Sequence, residues 1–465
     1  MKICIIGAGP SGCAVVHALK SKNVIDFESP ENSKVEVKMF EKQSQIGGLW
    51  NLNYRTGTDA NGQAVHSSMY RDLFVNAPCE ALEFPDYTYE QHFGKKLSSY
   101  PPRAVLEDYM KGRYENKELL STCRFNTAVE FVDFNVETDK FQVRTTDLAT
   151  EIDTTEEFDY VFVCSGHYHK PNVVEYPGFD KFSGKIMHAH DFKDGRLFKD
   201  QTIMTIGSSY SAEDIASLAV KFGAKRAYLS ARANKDSPFF MYNWPDSDEC
   251  LLEVKPILER VEGNTVFFSD GTQADVDCII LCTGYKHSYP FIKNSLRYVG
   301  PDSLCPEGFY KGMFWMNNPK MMYIGVFKQY FTFPFFDAQA NYAVQVLMNN
   351  IEIPDLEGMK AEFEARKAVL DALPDVVATI KYQSDYIGGL NKDSGFAPEL
   401  DSDLLNKNFV DFVVNKIGDI RTFRDKSHVS VMTGETSPML NSEPWAIRKD
   451  DSKQAYLSAL DSTLE

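Results

Sequence analysis

The sequence predicts an α/β protein in which one parallel-sheet domain is inserted into another. An apolar run at residues 3–6 ends in a glycine-rich turn and continues into a helical pattern, and the same arrangement returns at residues 201–222. Two further apolar runs, residues 158–164 and 278–282, each return the chain from an intervening segment to a parent sheet. These observations predict two Rossmann-like dinucleotide-binding domains. Their expected boundaries are residues 1–167 with 281–465 for the outer domain and residues 168–280 for the inserted one.

The first turn is Gly7-Ala8-Gly9-Pro10-Ser11-Gly12. Gly7 permits the tight turn, Gly9 allows the backbone to approach a pyrophosphate, and Gly12 lets the helix pack on the strand. The N-terminus of the following helix offers free N–H groups and a favourable dipole to an anion. Glycines also mark ordinary turns, so this motif predicts a nucleotide site only in the context of the rest of the chain.

Three features after the first turn favour a nucleotide site. Glu41 ends the second predicted strand, residues 35–40, where a carboxylate accepts hydrogen bonds from ribose hydroxyls; a solvated strand end is the simpler alternative. The loop Gly47-Gly48-Leu49-Trp50 suits contact with a planar ring, although an ordinary turn with Trp50 in the core explains it equally well. Asn76, in the loop-rich residues 51–110, is either a turn residue or a positioned hydrogen-bonding group.

The second turn is Gly207-Ser208-Ser209-Tyr210-Ser211-Ala212. Ser209 stands at the position of the second glycine and Ala212 at that of the third, where alanine is commonly allowed. The next strand, residues 226–230, ends in Ser230-Ala231-Arg232 rather than in an acidic residue. A guanidinium pairs bidentately with phosphate, so Ser230 and Arg232 predict the 2′-phosphate of NADPH rather than the ribose of NADH. An exposed surface cation is the alternative for Arg232.

Composition excludes several classes of function. The 465 residues carry a net charge of -17 that is spread along the chain, which argues against nucleic acid and anionic membranes as partners. No apolar run approaches the roughly 20 residues of a membrane span, and no signal peptide precedes the first strand. The nine cysteines form no metal-type CxxC pair and are expected to be reduced thiols in the cytoplasm, with neither a disulfide nor a metal site.

Three motifs identify a family resemblance. Phe182-x-Gly184-x3-His188-x3-Phe192 is similar to the fingerprint of class B flavin monooxygenases, Gly47-Gly48-Leu49-Trp50 resembles their GGxW loop, and Cys282-Thr283-Gly284-Tyr285 resembles their ATGY motif. Within that family the chain looks most like bacterial trimethylamine monooxygenases, through segments such as His66-Ser-Ser-Met-Tyr-Arg71 and Phe335-Phe-Asp-Ala-Gln339. The resemblance implies FAD and NADPH/NADP⁺ as cofactors and a homodimer.

The resemblance also implies the reaction. NADPH reduces FAD, O2 adds to give a C4a-hydroperoxyflavin that NADP⁺ shields from water, and this species oxygenates a soft nitrogen or sulfur nucleophile such as a tertiary amine, a thioether or indole. A Baeyer–Villiger ketone oxygenase is the nearest alternative, but its fingerprint typically ends in Trp where this chain has Phe192. A flavin reductase that passes electrons to a disulfide requires a CxxC, which the sequence lacks. A non-catalytic flavoprotein is disfavoured by the intact first turn and fingerprint.

The residues that the resemblance implies fall into three groups. The group at FAD comprises Gly7, Gly9, Ser11, Gly12, Glu41, Gln43, Leu49, Trp50, His66, Phe74, Asn76, Gln329 and Thr332. The group at NADP comprises Ser208, Tyr210, Ser211, Ser230, Arg232 and Arg424, and the roles nearest the chemistry belong to Asn76 and Tyr210. The expected substrate pocket contains Lys328 and Tyr330. The resembling enzymes typically have Asp-Gln-Trp at this position, and the cation of Lys328 does not help to bind a protonated amine.

Overall fold

The computed structural model describes residues 1–26, 32–116, 118–207, 209–232, 251–396, 401–440 and 442–461. The strands within these residues are β1 Lys2–Ile6, β2 Glu36–Phe40, β3 Cys123–Arg124, β4 Thr127–Asn135, β5 Lys140–Asp147, β6 Ile152–Phe158, β7 Tyr160–Val163, β8 Lys185–His188, β9 Thr202–Ile206, β10 Arg226–Ser230, β11 Leu252–Lys255, β12 Leu258–Glu262, β13 Thr265–Phe268, β14 Gln273–Asp275, β15 Cys278–Leu281, β16 Phe309–Tyr310, β17 Phe314–Trp315 and β18 Met321–Tyr323. The helices are α1 Pro10–Ser21, α2 Tyr89–Phe93, α3 Arg103–Asn116, α4 Tyr210–Lys221, α5 Thr332–Leu347, α6 Leu356–Asp371, α7 Val376–Ser394, α8 Ser402–Gly418 and α9 Lys453–Asp461.

The first large sheet has the order β16-β17-β18-β7-β1-β2-β3. Its strands β18, β7, β1, β2 and β3 run parallel, and β1 lies between β7 and β2. The last four residues of β1 are buried because helices cover both faces of a parallel sheet, which explains its continuous apolar run. Helix α1, which follows β1 through the first glycine turn, packs against α5.

The second large sheet has the order β11-β10-β9-β15-β8 and is parallel throughout. Helix α4 follows its strand β9 and packs on β10 and β9. Two smaller antiparallel sheets, β4-β5-β6 and β12-β13-β14, are attached to the two large ones.

The chain crosses between the two large sheets twice, after β7 and after β15. The two crossings pair with each other: Pro171 and Tyr285 form an antiparallel bridge, the Asn172 side chain donates to the Thr283 carbonyl at 3.1 Å, and the Thr283 hydroxyl donates to the Asn172 carbonyl at 2.5 Å. The second sheet is therefore an insertion in the first unit. This architecture of two Rossmann-type domains confirms the predicted fold class.

The C-terminal residues connect the two units. Lys416 on α8 forms a buried ion pair with Glu213 on α4, and Asp451 forms another with Lys221 at 2.7 Å. No helix among the described residues combines the length and apolar character that crossing a bilayer requires. The eight cysteines in the described ranges are all free thiols, while Cys250 lies outside these ranges.

Candidate cofactor and substrate site

The first glycine turn is closed by the end of the neighbouring strand β7. Gly7 has a φ of 102°, and a Cβ added to it would lie 2.7 Å from the carbonyl oxygen of Cys164. A Cβ on Gly12 would lie 2.0 Å from the Gly7 carbonyl oxygen. Both positions therefore require glycine for the fold itself. The Ser11 hydroxyl is buried and donates to the Cys164 carbonyl at 3.3 Å, which ties the start of α1 to the same strand end.

The second turn repeats this construction. Gly207 has a φ of 136°, and its Cβ would lie 2.3 Å from the carbonyl oxygen of Cys282, which follows the returning strand β15. Ala212, fully buried, occupies the place that Gly12 has in the first turn. Tyr210 and Ser211 begin α4 and are half-buried. Ser208 lies outside the described residues.

The helices after the two turns begin without a side-chain cap among the described residues. The N-cap residues are Gly9 for α1 and Ser209 for α4, and neither makes a capping hydrogen bond through its side chain. Helices α6, α7 and α8 are in contrast capped by aspartate side chains, those of Asp355, Asp375 and Asp401. The free N–H groups and helix dipoles of α1 and α4 fit a pyrophosphate at each turn.

Glu41 is buried, which contradicts the alternative of a solvated strand end. Its Oε2 accepts from the Ala8 N–H and its Oε1 from the Gln43 N–H, each at 2.8 Å. Burial raises the pKa of Glu41, and these backbone hydrogen bonds partly offset the effect. Each carboxylate oxygen keeps a second lone pair, so the group can hold the turn and accept from a ribose hydroxyl at the same time. The Gln43 side chain accepts from the Asn51 amide at 3.3 Å.

The GGxW-like loop touches the first turn. A Cβ on Gly48 would lie 3.0 Å from the Gly9 Cα, so the two glycine segments are in contact. Leu49 and Trp50 complete a single 3₁₀ turn, Gly48–Trp50, and both are half-buried. The Trp50 ring lies 5.9 Å from that of Phe333 in the first turn of α5. The loop therefore extends from the first turn towards the start of α5.

The other residues predicted at FAD lie in different environments. His66 is half-buried and stacks on His169 with ring centroids 4.5 Å apart. Asn76 is exposed although Val75 and Ala77 on either side are buried, so its side chain is available to a ligand. Phe74 is buried with its ring edge-on to Trp445, so its side chain is already packed within the protein.

Ser230 and Arg232, the two residues predicted at the 2′-phosphate, differ in burial and in hydrogen bonding. Ser230 is buried, and its hydroxyl donates to the Pro256 carbonyl at 2.8 Å and accepts from the Leu258 N–H at 3.0 Å. Its hydrogen-bonding groups are thus used within the fold, which argues against a direct contact with phosphate. Arg232 is exposed at the carboxyl end of β10, where a cofactor can reach it.

The predicted substrate segment lies beside the second turn. The phenols of Tyr210 and Tyr330 are close enough to raise the pKa of Tyr210, after the larger effect of burial. Lys328 is exposed, whereas Gln329 and Tyr330 are half-buried and Thr332 begins α5 half-buried. The Gln329 side chain donates to the Gly325 carbonyl at 2.6 Å. Tyr210 of the inserted domain and Tyr330 of the outer domain therefore lie close to each other.

Gln383 on α7 fixes the backbone of this segment, and the sequence analysis missed it. Its Oε1 accepts from the Tyr330 N–H at 2.5 Å and its Nε2 donates to the Lys328 carbonyl at 3.0 Å. Tyr168 was also missed; its hydroxyl is close enough to Tyr210 and Asp302 for each to raise its pKa, after burial. Its position directly after the parallel strand β7 was a usable signal, because ligands bind at the carboxyl ends of such strands. No pattern in the sequence indicated Gln383.

Arg424 was predicted to contact NADP, but in the structure its side chain contacts α4. Its guanidinium donates to Asp214 at 2.7 Å and lies 4.3 Å from the ring of Trp445. Asp214 also accepts from the hydroxyl of Tyr70. The side chain of Arg424 is 5% exposed, so it supports the helix that carries Tyr210.

Two glycine turns, each at the carboxyl end of a parallel strand and each followed by a helix without a side-chain cap, indicate an oxidoreductase with two dinucleotide sites. The model of the flavin-binding monooxygenase-like family matches residues 1–237 and 247–406. The chain belongs to this family, and it is a flavin-dependent monooxygenase that uses FAD and NADPH, which confirms the expected enzyme class and cofactors.

Relatives match the chain over its full length. It is 45% identical to the trimethylamine monooxygenase of Roseovarius sp. (strain 217), with 98% of this chain and 99% of that protein covered. The crystal structure of Tmm from Pelagibacter sp. strain HTCC7211 is 37% identical, with a TM-score of 0.91, 98% of this chain and 100% of that chain. The structure of S-allyl-L-cysteine S-oxygenase from Allium sativum is 26% identical, with a TM-score of 0.77, 91% of this chain and 95% of that chain.

The similarity to a ketone oxygenase is more distant. Cyclohexanone monooxygenase in its cyclohexanone-bound form is 12% identical with a TM-score of 0.58, covering 85% of this chain and 96% of that chain. At this identity the likeness shows a shared fold alone.

Proposed function

We propose that the protein transfers one oxygen atom of O2 to soft nitrogen and sulfur nucleophiles, with small tertiary amines of the trimethylamine type as its first substrate class. The observation that carries the proposal is the full-length similarity to relatives named trimethylamine monooxygenase. FAD and NADPH, when bound, supply the electrons and activate O2. The protein residues bind these cofactors, orient the substrate and keep water out of the cleft.

The proposed assignment of the cofactors follows the two turns. Residues 1–167 and 281–465 hold FAD, with the free N–H groups of α1 at its pyrophosphate and Glu41 at its ribose. Residues 168–280 hold NADPH, with α4 at its pyrophosphate and Arg232 at its 2′-phosphate. Asn76 and Tyr210 are the residues proposed nearest the reaction, as the family resemblance implies; Asn76 is exposed, and Tyr210 begins the helix proposed to hold the pyrophosphate of NADPH.

The assignment of substrate class is tested by product analysis. NADPH oxidation and O2 uptake are measured with trimethylamine, a thioether, indole and a ketone, and the products are identified by mass spectrometry. We expect the N-oxide of the amine and the sulfoxide of the thioether, each in step with NADPH consumption. An ester or lactone from the ketone, with no product from the amine and the thioether, would contradict the proposal.

The charge of Lys328 is expected to affect the KM of a charged substrate but not that of a neutral one. Its charge acts on Asp302, whose pKa it lowers against the larger effect of burial. An exposed charge contributes about 0.2–1 kcal/mol, so Lys328→Asp is expected to lower the KM for protonated trimethylamine by up to about fivefold. The KM for a neutral thioether is expected to stay unchanged in Lys328→Asp, and Lys328→Gln serves as the control for lost charge alone. Equal changes for both substrates would show that the charge of residue 328 does not act on the substrate.

A cytoplasmic homodimer is part of the same proposal. It is supported by the resemblance to the bacterial enzymes, and it is consistent with free thiols throughout the described residues. Sedimentation at equilibrium measures the mass directly, and a mass equal to one chain at micromolar concentration would exclude the dimer. Fractionation of cells that express the protein tests its location.

A further inference from the structure

Three ligand atoms converge at one point outside both nucleotide turns. The side chains of His167, His287 and Asp302 place one nitrogen or oxygen each within 4.8 Å of one another, the only such group of three within the described residues. His167 Nε2 lies 3.7 Å from Asp302 Oδ1. Because these residues are far apart in sequence, the spacing of potential ligands along the chain gave no sign of the cluster.

None of the three atoms has a hydrogen-bond partner among the described residues. His167 Nε2, His287 Nε2 and Asp302 Oδ1 are all buried atoms, and the two histidines are 5% and 9% exposed. A buried polar atom without a partner costs roughly 1–3 kcal/mol, so three of them pointing at one another require an explanation. A cation held between them satisfies all three at once.

The remaining ring nitrogens are arranged as they are in metal sites. His287 Nδ1 lies 3.1 Å from the Tyr289 hydroxyl, and the His167 ring hydrogen-bonds the Gly325 backbone. Partners of this kind fix the tautomer and leave Nε2 free to bind a metal.

We propose that His167, His287 and Asp302 form a binding site for a divalent cation of the zinc type. Two imidazoles and a carboxylate are ligands that Zn²⁺ prefers, with the fourth position open to water. Tetrahedral coordination separates ligand atoms by about 3.4 Å, so atoms that now lie up to 4.8 Å apart need to approach one another by up to about 1.4 Å. The Asp302 side chain is 27% exposed, which gives an ion a path from solvent. This proposal departs from the expectation of no metal that the sequence gave.

The position of the site suggests what the ion does. His167 lies on the crossing that leaves the first sheet after β7, and His287 lies on the crossing that returns after β15. Asp302 belongs to the loop that contacts the substrate segment, since the Ser303 carbonyl accepts from the Lys328 N–H at 2.9 Å. A bound ion therefore joins both connections of the inserted domain to the loop that contacts the substrate segment, and it limits rotation of that domain.

The test measures zinc on the FAD-loaded protein without an affinity tag. The protein is treated with a chelator, dialysed against defined Zn²⁺ and analysed by mass spectrometry for metal per chain, and a crystal is examined for anomalous scattering at the zinc edge. We expect one zinc per chain, located between the three side chains. Asp302→Asn and His287→Gln are each expected to weaken binding at least tenfold.

His92→Gln is the matched control. His92 also lies beside a carboxylate, that of Asp108 at 3.2 Å, but no third ligand completes a cluster there within the described part of the chain. Its replacement is expected to leave zinc binding unchanged. The proposal is overturned if the wild type binds no more zinc than Asp302→Asn, or if the anomalous peak lies elsewhere. Flavin content and circular dichroism verify folding, and if a variant does not fold, the anomalous map of the wild type decides.

Discussion

The exchange of Gly9 for alanine separates a role in cofactor binding from a role in folding. A Cβ on Gly9 would meet only the Gly48 Cα, at the ordinary contact distance of 3.6 Å. Gly9 has a φ of -78°, which every residue adopts without strain. The protein without FAD should therefore tolerate the methyl group within about 0.5 kcal/mol.

The same methyl group is expected to hinder the cofactor. The second glycine of such a turn is where the backbone approaches the pyrophosphate, and a methyl group there displaces the phosphates from the N–H groups of α1. Loss of one charge-assisted hydrogen bond costs about 1.5–3 kcal/mol, which corresponds to roughly 10- to 150-fold weaker FAD binding. Gly12→Ala, with a contact of 2.0 Å, should instead destabilise the protein even without FAD.

The assay is titration of the FAD-free protein with FAD, followed by quenching of flavin fluorescence, beside thermal unfolding of the same preparation. Gly389→Ala is the control, because its Cβ on α7 meets nothing within 4 Å. It should leave FAD affinity unchanged and stabilise the helix by up to about 1 kcal/mol. If Gly9→Ala binds FAD as tightly as the wild type, the first turn is not the site of the pyrophosphate.

Three further predictions concern stability and cofactor choice. Arg113 is fully buried between the carboxylates of Asp86 and Asp337. Arg113→Met should therefore lower the free energy of unfolding, measured by urea denaturation, by about 3–5 kcal/mol. Lys381→Met is the control, because it breaks an exposed pair and should change this free energy by less than about 1 kcal/mol. Burial alone raises the pKa of Asp86, but a histidine hydrogen bond and Arg113 bring it well below its usual range. The ionised Asp86 therefore stabilises the folded protein, fully above the unfolded pKa of about 3.9 and progressively less as the pH falls below that value. The melting temperature should therefore fall less steeply below pH 4 in Asp86→Asn than in the wild type, and parallel curves would contradict this. Arg232→Ala should raise the KM for NADPH at least tenfold more than that for NADH, and equal increases would remove the arginine from the 2′-phosphate.

The two turns could be predicted from the sequence because their physics is local. A strand, a residue with positive φ and an uncapped helix occupy about a dozen consecutive residues, and their order alone indicates a phosphate site. Ala212 stands where a third glycine is expected, and the turn still forms because the packing there admits a methyl group. Strands β7 and β15, which return the chain to a parent sheet, were likewise visible as apolar runs. The prediction that one domain is inserted in the other depended on them.

The parts that could not be predicted depend on contacts between distant residues. Gln383 holds a backbone segment more than 50 positions earlier, and nothing in its own neighbourhood distinguishes it from a surface glutamine. Ser230 stands where a phosphate ligand is expected, yet its hydroxyl donates to the Pro256 carbonyl in the loop after β11. Nothing in the sequence indicated what the C-terminal region does, whereas in the structure Lys416 on α8 is 3% exposed and pairs with Glu213 of the inserted domain.

The C-terminal region explains how an inserted domain can hold Tyr210 beside Tyr330 of the other domain. Helix α4 carries Tyr210 at its first position, and Glu213 and Asp214 follow three and four positions later. Lys416 pairs with Glu213 and lies 4.4 Å from the centre of the Tyr210 ring, while Arg424 pairs with Asp214. Breaking a buried pair costs several kcal/mol, about 3–5, so rotation of α4 away from the C-terminal segment is opposed by both contacts. The orientation of Tyr210 therefore depends on residues about 200 positions later in the chain, and the nucleotide turn alone does not determine it.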